Sequence, residues 1–126
     1  MILKILSTLA ALVLPASAAA ATDITVGGEY AVAGTNFDGS PYGGTVTIVV
    51  GGDVPCRITW DTGGEGSFGF CMRDEDSLAA AYQIQGRVGL VVYHVQPDGK
   101  LVGHWSLADT PGVGSEILVP KKTNAN

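Results

Sequence analysis

The sequence predicts an all-β protein: a small antiparallel up-and-down β-barrel of about eight strands, with a β-sandwich as the alternative. Three observations carry that prediction. Glycine supplies 18 of the 126 residues. Short runs with period-two alternation recur along the chain, and tight-turn dipeptides separate them. Runs near 24–32, 43–50, 56–61, 67–72, 78–84, 87–96, 100–107 and 114–119 give the count of eight.

The first segment reads as an address. Met1 to Lys4 holds one positive charge, Ile5 to Leu14 is apolar apart from Ser7 and Thr8, and Pro15 ends the run. Ala16 to Ala21 then offers overlapping small-x-small sites for signal peptidase. That order is the order of a secretory signal, here residues 1–21. The run is too short for a transmembrane anchor, which needs about twenty apolar residues. The first cysteine is Cys56, so no cysteine stands at the cleavage site to take a lipid. The expectation is an exported protein, periplasmic or secreted.

The barrel domain is placed at 22–120, with a polar, flexible tail at 121–126. Without Lys4 the balance is six basic residues against twelve acidic, a net of −6. Such a surface disfavours nucleic acid and anionic membranes as partners.

Within the domain each run has its own justification. Thr45 to Val50 sets Val46, Ile48 and Val50 on one face and its threonines on the other. Val88 to Val95 is almost wholly apolar, the pattern of a strand covered on both sides or lining a closed interior. Leu101, Gly103, Trp105 and Leu107 share a face. Ser115 to Val119 closes the fold before Pro120. Leu78 to Tyr82 reads as a strand, though Ser77 before three alanines also suits a capped helical turn.

Asp38-Gly39, Gly51-Gly52, Gly63-Gly64 and Asp98-Gly99 supply the positive φ that hairpins require. The stretches around Asp38-Gly39 and Asp98-Gly99 echo one another: an aromatic-x-Val strand end, the turn, then a strand with a glycine two residues before a large apolar side chain.

Cys56 and Cys71 are equidistant from Gly63-Gly64, so a hairpin centred there sets them opposite one another for a disulfide. The same register pairs Ile58 with Gly69 and Trp60 with Ser67. It also leaves Phe68, Phe70 and Met72 on the face of Arg57, Thr59 and Asp61. A one-residue bulge would resolve that conflict; the sequence leaves both registers open.

No Ser-His-Asp set, acid pair, phosphate loop or zinc spacing emerges, so neither catalysis nor a metal or other cofactor is expected. His94 and His104 fall on one face only if their connection is odd in length. Asp74-Glu75-Asp76 has the contiguous acids of a solvated turn, unlike the alternating ligands of a calcium loop. Trp60, Tyr93 and Trp105 are the candidate lining for a ligand, at positions that fill the interior or line a cup.

Four stretches together resemble a family of small exported bacterial proteins, some labelled fibronectin-binding: Gly34-Thr35-Asn36 through Thr45-Val46, Cys56 to Gly63, Cys71-Met72-Arg73 and Val88 to Tyr93. The resemblance implies an extracellular-matrix partner and carries over no functional residue. In architecture alone, the chain is similar to periplasmic metalloprotease inhibitors of the lipocalin/avidin group, although Thr22-Asp23-Ile24 shows no match to their inhibitory segment. The expected function is a non-catalytic binding module for a protein partner, working through loops and strand edges. The alternatives are a carrier of a small apolar ligand and a periplasmic protease inhibitor.

Overall fold

A computed structural model of the chain describes residues 9–14, 21–64 and 66–122. The predicted signal falls mostly outside the described residues. Of its apolar run, 9–14 carries no secondary structure, and Leu9, Leu12, Val13 and Leu14 are exposed.

Eight strands form one closed barrel in which every neighbour in sequence is a neighbour in space. They are β1 (Gly28–Thr35), β2 (Pro41–Val50), β3 (Cys56–Asp61), β4 (Ser67–Asp74), β5 (Ser77–Ile84), β6 (Arg87–Val95), β7 (Leu101–Leu107) and β8 (Thr110–Pro120). β8 returns to pair with β1, from Tyr30↔Pro120 to Thr35↔Ser115, which leaves no open edge. The barrel, not the sandwich, is the fold. Residues 77–84 are strand rather than helical turn, because alternate side chains Leu78, Ala80 and Tyr82 all find the interior.

Two boundaries differ from expectation. β1 starts at Gly28 rather than near 24, because residues 21–26 fold across one end of the barrel. Ala21–Asp23 form a 3-10 turn, Val26 is buried, and Ala21 and Ile24 pack on the core. Arg73, at an inward position of β4, donates to the carbonyls of Ala21 (2.9 Å) and Ile24, and to that of Glu75 (2.8 Å). β8 starts at Thr110 rather than 114, since its pairing with β7 slips between Trp105 and Leu107 and admits Pro111, Gly112 and Val113 as a bulge. Lys121 is not frayed: its amide and ammonium bond Glu29, and the ammonium also donates to Thr45. Residues 123–126 of the expected tail lie outside the described residues.

The Asp-Gly echo is geometric. In residues 36–40 the Asn36 amide donates to the Ser40 carbonyl, the Gly39 amide to the Asn36 carbonyl and the Ser40 amide to Asp38. Residues 96–100 repeat all three bonds with Gln96, Gly99, Lys100 and Asp98. Both glycines hold positive φ, 85° and 88°.

The cysteine hairpin keeps the unbulged register. Ile58 faces Gly69, Trp60 faces Ser67, and the Cys56–Cys71 disulfide joins Cα atoms 4.9 Å apart. Phe68, Phe70 and Met72 therefore stand on the outside, as do Val88, Leu90 and Val92 of β6. β6 is covered on its inner face alone.

Candidate functional site: an aromatic cup over a buried carboxylate

The closed end of the barrel is filled by Val32, Ile48, Ile58, Leu78, Val95, Leu101 and Leu118 around the cystine. The other end is built differently, from large rings laid over glycines. A Cβ on Gly34 would lie 2.1 Å from Tyr42, one on Gly89 2.1 Å from Tyr82, one on Gly103 2.5 Å from Tyr93 and one on Gly114 2.1 Å from Trp105. Each ring thus occupies space that only a glycine on the neighbouring strand leaves free, and four interior aromatics fit one narrow barrel.

Glu116 lies in the middle of this layer and is 4% exposed. One inward row runs around the wall: Tyr42 opposite Gly34, Gly34 opposite Glu116, Glu116 opposite Gly103, and Gly103 opposite Tyr93. With both flanking positions vacated, the two phenols converge on the carboxylate from either side. The Tyr42 hydroxyl donates to Oε2 at 2.6 Å, and the Tyr93 hydroxyl donates to Oε1. From β3 the Trp60 indole donates to Oε1 at 2.9 Å.

Charge-assisted bonds of this kind contribute about 1.5–3 kcal/mol each and offset the desolvation of a buried anion. All three donors are neutral, and among the described residues Glu116 has no salt-bridge partner. The negative charge is solvated locally but not neutralised. Its effect is felt by the phenols: burial first, then the Glu116 charge, pushes Tyr42 and Tyr93 well above the ordinary tyrosine range. The same two causes push Tyr82 up to about 12.

Above Glu116 the barrel opens into a cavity of about 450 Å³, lined among others by Tyr42, Trp60, Tyr82, Trp105 and Ile84, with Glu116 in its surface. The size is that of a site for one small molecule. Its walls are linked rings. Trp60 and Tyr82 have centroids 5.2 Å apart, Tyr42 meets Trp105 edge-on at 6.3 Å, and Phe37 from the 36–40 loop stacks on Trp105 at 4.6 Å. The Trp105 indole nitrogen is buried and has no hydrogen-bond partner among the described residues. Gln85 and Arg87 border the mouth, and Arg87 is held by Asp109 at 2.8 Å.

The predicted lining residues divide. Trp60 and Trp105 line the cup, whereas Tyr93 is fully buried beneath it and holds Glu116. Sequence reasoning missed Glu116, although the phase Gly114-x-Glu116-x-Leu118 marked it as the one acid aligned with an interior row. His94 and His104 share the outer face, opposite Val102 and Val92, because the 96–100 connection is odd. No cluster of three metal-ligating side chains occurs among the described residues. No helix among them is long and apolar enough to cross a membrane. No protein-family model matches the chain and no curated protein matches it, so the functional reading rests on the geometry of this cup.

Proposed function

We propose that this chain is an exported, non-catalytic binding module whose ligand site is the aromatic cup. Its ligand is a compact amphiphile with an ammonium or N–H donor directed at Glu116 and an apolar body held among Trp60, Tyr82 and Trp105. The observation that carries this reading is the un-neutralised carboxylate at the inner surface of an apolar cavity. A carboxylate accepts at about four positions, and the protein supplies three donors. Aromatic walls add attraction for a cation as well as apolar contact. A purely apolar ligand, the first alternative from sequence, would leave the charge facing hydrocarbon, which costs free energy.

Tryptophan emission tests the reading, because both tryptophans line the cup. Arylalkyl ammonium ions should change the emission saturably, and carboxylates of the same carbon skeleton should not. No saturable response to any ammonium ion in the series, or equal responses to both charges, would refute it.

A further inference from the structure

Phe68, Phe70 and Met72 on β4 are 62%, 64% and 67% exposed, and Leu90 on β6 is 60% exposed between Val88 and Val92. Between these two rows runs β5, whose outward residues there are Ala79, Ala81 and Gln83. The register joins them into three rungs, Phe68–Gln83–Val88, Phe70–Ala81–Leu90 and Met72–Ala79–Val92. Two ridges therefore flank a trough floored by Ala79 and Ala81 and bounded at one end by Gln83, and strand spacing makes it about 10 Å wide. With about 200 Å² for a whole aromatic side chain and less for the aliphatics, the six large residues expose on the order of 600 Å² together.

The patch has a polar rim. Arg57, Thr59 and Asp61 border it on β3, Asp74, Ser77 and His94 at the closed end, and His104 and Ser106 on β7. Val49, Val102, Ile117 and Val119 are also exposed, but Thr45 and Thr47 on β2 and Arg57, Thr59 and Asp61 on β3 interrupt the apolar surface. An apolar belt around the whole barrel is what a bilayer requires, and here the polar residues of β2 and β3 break it.

We infer that this face is the interface with a second copy of the chain. Ridge and trough lie side by side on one surface, so the surface complements itself. A two-fold axis along the strands between β4 and β5 seats Phe70 and Met72 of each copy against Ala79 and Ala81 of the other. This is the isologous arrangement of a closed dimer. An apolar centre near 600 Å² with its polar rim approaches the roughly 800 Å² per partner of a stable interface. The inference is independent of the cup, whose mouth opens at the barrel end.

Sedimentation of the full exported protein from micromolar to submillimolar concentration tests it. A reversible monomer–dimer equilibrium is expected. Ala81→Arg, which fills the trough, and Phe70→Asp, which removes the knob, should each raise the dimer Kd about 30-fold or more. Both sites are on the outside, so both variants should keep cooperative unfolding. Thr47→Arg, outward on β2 and away from this face, should change the Kd by less than about threefold. A monomer at every concentration overturns the inference, as does a dimer indifferent to Ala81→Arg. Flotation of a monomeric wild type with neutral phosphatidylcholine vesicles would overturn it in favour of a lipid surface.

Discussion

Tyr42 on β2 and Tyr93 on β6 stand at equivalent positions on either side of Glu116, each one glycine away, and their hydroxyls share its two oxygens. This arrangement turns an otherwise costly buried acid into the organising group of the open end. It also makes the acid available from the cavity.

Glu116→Gln preserves volume but replaces one acceptor oxygen with an NH2 donor, so at least one of three buried donors loses its partner. The variant should lose about 1–3 kcal/mol of stability, read from chemical denaturation, along with the tryptophan response to ammonium ions.

Gly114→Ala should cost about 1–3 kcal/mol, because the new methyl group would lie 2.1 Å from the Trp105 ring and the barrel cannot widen to receive it. Gly43→Ala is the control. Its Cβ would meet one backbone oxygen at 3.4 Å on the outer surface, and it should stay within about 0.5 kcal/mol. Near-ultraviolet circular dichroism should change in the first variant alone.

Alkaline pH should unfold the barrel. A tyrosine whose folded pKa is raised contributes stability that is complete below the unfolded value near 10 and is lost as pH rises through the folded value. For Tyr82 that window runs from about 10 to about 12. Tyr42 and Tyr93 shift in the same direction. The phenolate absorbance of Tyr42, Tyr82 and Tyr93 should therefore rise together with loss of far-ultraviolet β signal, not before it.

Removing the disulfide with Cys56→Ala and Cys71→Ala should lower stability by about 3 kcal/mol, because the bridge closes a loop of 15 residues. The unfolding midpoint in denaturant measures the loss. Reduction of the wild type should reproduce it.

Arg73→Ala should release residues 21–26 from the closed end, since the carbonyls of Ala21 and Ile24 lose a donor together. Hydrogen exchange should accelerate in that segment while β5 and β6 keep their protection.

The sequence by itself determined the strand count, the cysteine hairpin centred on Gly63-Gly64 and the Asp-Gly loops. Each follows from rules that act within a few residues: side-chain alternation, positive φ at glycine, and symmetric spacing of two cysteines. It also left Phe68, Phe70 and Met72 as a conflict, to be relieved by a bulge or by exposure. Tertiary structure decided for exposure, and the same register gathered the β6 residues beside them into one face. The cup was beyond local reading for the same reason. Tyr42, Trp60, Tyr93 and Glu116 come from four strands separated by as many as 74 residues, and only barrel closure between β1 and β8 brings them into one layer. Alternation says which side of a strand a residue faces. The shear of the closed barrel sets its height, and height is what brought Glu116 between two glycines and into reach of three donors.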